Sequence, residues 1–195
     1  MTRAVAVALC ALVVLSLGAC TTPDLHHRVI VSIPEQQLAL LQDGHLVATY
    51  PVSTSKFGLG DIPGSKGTPL GEFEIANKIG GDAPSGAVFK DRRRTGEIVP
   101  PDAPGRDPIV TRILWLRGLE RQNALAYSRY IYIHGTPEER NIGLPVSYGC
   151  VRMRSRDVIQ LFATVGSGAR VTIADMPLET LVPGLAPGQL FQPTR

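Results

Sequence analysis

A histidine and a cysteine carry the first chemical signal. His134 follows the apolar run YIYI (Tyr130 to Ile133), and Cys150 lies 16 positions further on, within HGTPEERNIGLPVSYGCVRMRS. A thiol is a weak nucleophile until a base or a local positive potential makes it a thiolate, and imidazole is the usual partner. The pair therefore points to nucleophilic acyl chemistry. Gly149 removes side-chain bulk before the cysteine, so main-chain N–H groups around residues 148 to 150 can converge on an oxyanion. Arg152 stands where it can stabilise a thiolate or hold a substrate carboxylate. Taken singly, an inert buried Cys150 and a core His134 are the simpler accounts; together the residues argue for a site.

Other reactive-looking residues carry less. GLGDIPGSKGT (Gly58 to Thr68) suggests a phosphate loop, but Lys66 is followed by Gly67 rather than Ser or Thr, and no helix follows the glycines. It reads as a turn-rich connection whose glycines let the backbone approach a neighbour. His26, His27 and His45 lack companion ligands at metal spacing and read as solvated side chains, so no metal or organic cofactor is expected. The three cysteines, Cys10, Cys20 and Cys150, are too few for a disulfide scaffold and include no CxxC. A net charge of +3, from 20 basic and 17 acidic residues, is too small to indicate a nucleic-acid partner.

The elements that position the pair are mostly strands. With 195 residues, one folded domain is expected, and 20 Gly with 16 Pro make it loop-rich. RVIVSI (Arg28 to Ile33), QLALLQ (Gln37 to Gln42) and HLVATYPVST (His45 to Thr54) are short apolar runs, and Asp43-Gly44 between two of them is a hairpin signal. GEFEIANK, VTRILWLR, YIYI and ARVTIA add further strands. Val158, Leu161, Phe162 and Val165 recur at helical spacing behind Ser155, a candidate N-cap, with Asp157 complementing the helix dipole. The fold class is mostly β, a sandwich or barrel with one main α-helix after the cysteine. Residues 80–108, rich in Gly, Pro and charge and without clear periodicity, read as a lid loop or a disordered insertion. Their DRRRTG run suits a solvated face, with an anionic polymer as a candidate partner. Residues 175–195 read as an extended Pro/Gly-rich tail.

The N-terminus reads as a targeting segment. Arg3 precedes the uncharged run AVAVALCALVVLSL, too short for a comfortable permanent span, which suits a removable export signal over residues 1–19. LGAC then resembles the lipobox of bacterial lipoproteins, which implies lipidation at Cys20, a tether over 20–27 and an exported, periplasmic location; Thr21 by the same resemblance favours the outer membrane. An ordinary signal-peptidase site near Ala19 is the alternative. The mature chain then holds its single free thiol, Cys150, in an oxidising compartment, itself a hint of function.

IHGT and SYGCVRM together resemble the catalytic motif of the L,D-transpeptidases (YkuD-type domain), a strand-borne HG followed by S/T-H-G-C, an apolar residue and usually Arg or Asn. GSKGTPLGEFEI (Gly64 to Ile75) resembles the family's GTPxGxF segment, and the likeness covers about residues 28–174. It implies a β-sandwich catalytic domain acting on peptidoglycan stem peptides, with Cys150 as nucleophile, His134 as base and the Gly135 carbonyl orienting the imidazole. Ser147 and Arg152 match motif positions, whereas Tyr148 stands where the family usually has His. Tyr132 either faces the site or belongs to the core. The implied reaction is acyl transfer from a tetrapeptide stem, releasing D-Ala, to an amine of another stem or of a wall-anchored lipoprotein. The alternatives are an L,D-carboxypeptidase or amidase that hydrolyses the same thioester, and a non-catalytic peptidoglycan-binding lipoprotein.

Overall fold

The computed structural model describes residues 22–182 and 184. The expected signal over 1–19, the candidate lipidation site Cys20 and the tail beyond 184 lie outside the described residues.

The chain opens with strands β1 (His27–Ser32), β2 (Gln37–Gln42) and β3 (His45–Pro51), the second pair joined through Asp43-Gly44 with both residues at positive φ. β1 and β2 read as near-continuous aliphatic runs because both faces are buried. Val29, Val31, Leu38 and Leu40 point into the main core, while Ile30, Ala39 and Leu41 form a second cluster with Leu178 and Val182. The tail is therefore not simply extended: a short helix, α2 (Leu178–Leu181), covers the outer face of these strands. Leu178 is fully buried there.

Strands β4 (Gly71–Ile79), β5 (Ala87–Lys90), β6 (Arg93–Ile98), β7 (Ile109–Gly118), β8 (Tyr132–Gly135), β9 (Val151–Met153) and β10 (Arg170–Ala174) complete one sheet, ordered β3-β2-β1-β10-β4-β7 and continuing through β8 to β9. The circuit then closes. Just beyond β3, Ser53 N–H donates to Arg152 O at 3.0 Å, and Arg152 N–H donates to Ser53 O at 2.9 Å. The expected sandwich or barrel is thus a barrel-like ring whose seam joins the end of β3 to β9, and the catalytic-looking turn lies on that seam. Helix α1 (Ser155–Thr164) contributes Val158 and Leu161, with Val165 just beyond it, to the enclosed core with Phe73, Ile75, Leu114, Leu116 and Met153.

Four local expectations change. Ser155 is the first residue of α1 rather than its cap: Arg154 occupies the cap position, and the Ser155 N–H donates to the Glu139 carboxylate at 2.7 Å. A distant acid thus performs the capping that a local hydroxyl was expected to do. Residues 80–108 contain the β5–β6 hairpin, paired to β7 at Val88↔Val110 and Phe89↔Ile109. Every residue of β6 is exposed, so an edge strand of charge and glycine showed no apolar alternation to read. The end of the tether is docked, since Asp24 accepts from Gly166 N–H at 2.6 Å and its N–H donates to Ser167 O. His27 is not solvated either, because it is largely buried against Asp24 at 2.9 Å.

Candidate active site

β8 and β9 run parallel, with Ile133 opposite Val151 and His134 opposite Arg152. Residues two apart on a strand share a face, so one step back places Cys150 beside Tyr132, on the same face as His134 and Arg152. The spacing of 16 residues is what a parallel return requires. His134 and Cys150 become diagonal neighbours on one surface.

His134 is buried and its orientation is set locally. Its Nδ1 lies 2.8 Å from Gly135 O, and a carbonyl only accepts, so Nδ1 carries the proton and Nε2 keeps its lone pair. Residue 135 has no room for a side chain: a Cβ there would sit 2.6 Å from Val110 O and 3.1 Å from Thr111 Cβ. Opposite it, β7 bulges between Val110 and Ile113, where it is shared between β5 and β8. Thr111 in that bulge has φ +73°, an unusual conformation for a β-branched residue. Its hydroxyl accepts from Gly86 N–H at 2.9 Å and shares a hydrogen bond with Ser155 at 2.8 Å, which holds the strained backbone in place. Sequence reading missed Thr111, which carries no motif; its positive φ is visible only in the structure.

The Cys150 thiol donates to Tyr130 O at 3.4 Å. Burial pushes it up to about 11, against a main-chain hydrogen bond at Tyr132 and the charges of Arg152 and Arg129, which pull it down. Burial likewise pushes His134 down to about 4, with the Gly135 carbonyl opposing and Arg152 assisting. The resting pair at neutral pH is a thiol beside a neutral imidazole.

The turn before the cysteine is braced from within. Ser147 is fully buried, donates to Cys150 O at 2.6 Å and accepts from Gly149 N–H at 3.2 Å. Ser147 therefore shapes the turn instead of facing a ligand. Gly149 N–H is spent on it, which narrows the expected oxyanion donors to the N–H groups of Tyr148 and Cys150; neither has a partner among the described residues. Gly149 has φ +120°, and a Cβ there would press on Gly67 O at 3.2 Å. This is the close backbone approach expected of the glycine-rich 58–68 segment. Thr68 completes the contact by donating to Gly149 O at 3.0 Å. The buried Arg129–Asp61 pair at 2.7 Å ties the same segment to the Tyr130 turn.

Arg152 is not free to hold a substrate carboxylate. Its guanidinium is buried against Asp107 at 2.6 Å, and Thr136 donates to the same carboxylate. Asp107, near the end of the 80–108 segment, was not legible as its partner. Tyr132 is buried in a cluster with Phe89 and Ile113 against which Cys150 packs. Its ring meets His134 edge-on at 6.5 Å. A cavity of about 260 Å³ opens there, lined by Tyr130, Tyr132, Ile113, Phe89 and the hairpin-tip residues Asp91 and Arg92. Tyr148, in contrast, points outward and is about half exposed, 53 %. Among the described residues, no three His, Cys, Asp or Glu side chains gather as a metal site.

Comparison with known proteins adds independent findings. The L,D-transpeptidase catalytic domain family YkuD matches residues 26–173. A relative named as the L,D-transpeptidase YkuD of Bacillus licheniformis is 32 % identical over 156 residues, 77 % of this chain and 68 % of that protein. One named as the L,D-transpeptidase YbiS of Escherichia coli K12 is 32 % identical over 162 residues, 80 % of this chain but only 48 % of its own length. Among solved structures, L,D-transpeptidase 3 of Mycobacterium tuberculosis, carrying a faropenem-derived adduct, superposes with TM-score 0.50 at 17 % identity, over 76 % of this chain and 60 % of that one. That likeness concerns the fold. Family model and relatives agree: the chain belongs to the YkuD family of L,D-transpeptidase catalytic domains.

Proposed function

We propose that the chain transfers the acyl group of a peptidoglycan tetrapeptide stem from its terminal D-Ala to an amine. One observation carries the reading: Cys150 shares a strand face with an imidazole whose Nδ1 is tied to Gly135 O, leaving Nε2 as the available base. As sulfur attacks the carbonyl of the third stem residue, its proton passes to His134 and the oxyanion meets the N–H groups of Tyr148 and Cys150. The C–N bond breaks, the departing D-Ala nitrogen takes the proton from His134, and a thioester remains. An incoming amine attacks that thioester and gives its proton to His134; the C–S bond breaks, and His134 returns the proton to the departing sulfur, regenerating the thiol. Because the resting pair is neutral, proton transfer accompanies attack instead of preceding it.

The acceptor is a second stem, giving a 3→3 cross-link, or the lysine of a wall-anchored lipoprotein. The 80–108 segment acts as the lid through its hairpin tip, where Arg92 lies over the Trp115 and Tyr130 rings and lines the cavity walled by Tyr130 and Tyr132. Export and lipid attachment at Cys20, with a periplasmic location, rest on the N-terminal sequence. Purified full-length protein incubated with sacculi is expected to yield cross-linked muropeptides and free D-Ala by mass spectrometry, and Cys150→Ala to yield neither. Products retained by Cys150→Ala refute the assignment; stems trimmed without cross-links identify water as the acceptor.

A further inference from the structure

Two cations beside the nucleophile turn have no carboxylate partner among the described residues. Lys56 Nζ lies 4.6 Å from the Tyr148 ring centroid and donates to the Tyr148 hydroxyl at 3.2 Å. Lys66 Nζ lies 5.5 Å from the same ring and 5.3 Å from that of Phe57. The two rings are 5.4 Å apart, both about half exposed, and form an open ledge. Of the other cations at the site, Arg152 is paired with Asp107 and Arg129 with Asp61, and Arg92 lies over the Trp115 and Tyr130 rings on the opposite flank. Among the described residues, Lys56 and Lys66 form no ion pair.

Their position is fixed by the backbone rather than by chance side-chain reach. Lys56 N–H donates to Ser147 O at 3.2 Å, and Ser55 bridges to Ser147 across the seam. The Ser55 hydroxyl donates to Lys66 O at 2.6 Å, holding Lys66 at φ +58°. Both lysines are thus sewn to residues 147–149, immediately before Cys150. A non-glycine residue held in the left-handed region beside a reactive group is a recurrent sign of a functional position.

We infer that Lys56 and Lys66, over the Phe57–Tyr148 ledge, form a subsite for the carboxylate borne on the carbon next to the nitrogen that leaves or attacks at Cys150. This rests on the transfer reading above and deepens it. The nucleophile has two flanks. One is the cavity under Arg92, walled by Tyr130 and Tyr132, where an acyl chain can stay while the thioester persists. The other is the open ledge, which suits a group that must depart and be replaced. Departing D-Ala carries a carboxylate on the carbon bearing its nitrogen, and so does a stem diamino acid that attacks through its D-centre. By microscopic reversibility one cationic subsite serves both steps. The ε-amine of lysine has no carboxylate at that distance, so the ledge favours stem acceptors over lysine acceptors. It also gives the residue at position 148 a role: an aromatic ring whose hydroxyl fixes Lys56.

The test is competition between two acceptors that carry either a carboxylate or an uncharged amide beside the attacking amine, read as the change in their ratio between variants. Full-length protein with a tetrapeptide-stem donor is given isotope-labelled D-alanine and D-alaninamide together, and both exchange products are counted by mass spectrometry. Removing charge-assisted contacts from a carboxylate lowers its use by about 10- to 100-fold. The Lys56→Gln/Lys66→Gln double variant is therefore expected to shift the D-alanine to D-alaninamide product ratio towards the amide by about that factor, and Lys56→Arg/Lys66→Arg to preserve it. Because both acceptors meet the same thioester, the ratio is independent of how much enzyme is active. An unchanged ratio in the Gln variant overturns the subsite and leaves the transferase intact; no exchange and no D-Ala release by the wild type removes the transfer reading and the subsite with it.

Discussion

The depressed basicity of His134 makes the folded protein sensitive to acid in a defined window. Its imidazole titrates at about 4 in the fold, against 6.5 when unburied, because burial disfavours the imidazolium and Arg152 adds repulsion. Between those values the unfolded chain binds a proton that the folded chain refuses. The contribution is therefore fully present above the unfolded value and is lost as pH falls through the folded one. The difference of about 2.5 units is worth about 3.4 kcal/mol in total, of which about 2.5 kcal/mol has gone by about pH 4.5. Urea unfolding of the wild type and of His134→Gln, at about pH 7.5 and about pH 4.5, isolates this residue, since carboxylates such as Asp24 titrate alike in both proteins. The wild type is expected to lose about 2.5 kcal/mol more than the variant on acidification. Equal losses refute the neutral buried imidazole. The same neutrality predicts a rate profile without an inflection near pH 6.5, because the base is already unprotonated well below it.

Two further substitutions probe the supports of the site. Asp107→Ala leaves the Arg152 guanidinium buried with only Glu138, at 3.7 Å, as a counter-charge, and is expected to destabilise by about 3–5 kcal/mol; calorimetry checks this, and an Asp107→Ala/Arg152→Met pair recovers most of the loss. Ser147→Ala strips the Gly149 N–H of its acceptor and the Cys150 carbonyl of a donor, at about 1–3 kcal/mol per orphaned group. It is expected to slow thiol alkylation and acyl transfer together, read by iodoacetamide labelling followed by mass spectrometry.

Residues whose chemistry is local were legible in the sequence; those that work through distant partners were not. Asp43-Gly44 announces its own hairpin, and HG before YGC announces a base and a nucleophile, because turn geometry and thiol chemistry need no third party. Ser155 misleads for the opposite reason. It has the right type for a cap, yet Glu139, 16 residues earlier and in another element, reaches the helix N-terminus first. The β6 strand was hidden because an exposed edge strand keeps its ladder without burying a face. Arg152 was read as a free cation because Asp107, 45 positions upstream, has no motif to mark it.

The strain in β7 follows from the same topology that makes the site. β7 pairs with β8 along one edge, from Val110 to Trp115, while its other edge passes from β4, whose pairing stops at Ile113, to β5, which pairs at Val110 and Ile109, and that hand-over calls for a change of twist. The bulge at Thr111 supplies that change, as bulges do beside functional sites. It also brings the Thr111 side chain against residue 135, so that only glycine fits there, and a glycine carbonyl close to the imidazole ring then selects its tautomer. The HG dipeptide is thus as much a packing solution to the hand-over in β7 as a chemical motif. Hairpin, bulge and base are joined through β7: the β5–β6 hairpin pairs with the strand whose bulge packs against residue 135, and Arg92 at the hairpin tip lines the cavity walled by Tyr130 and Tyr132.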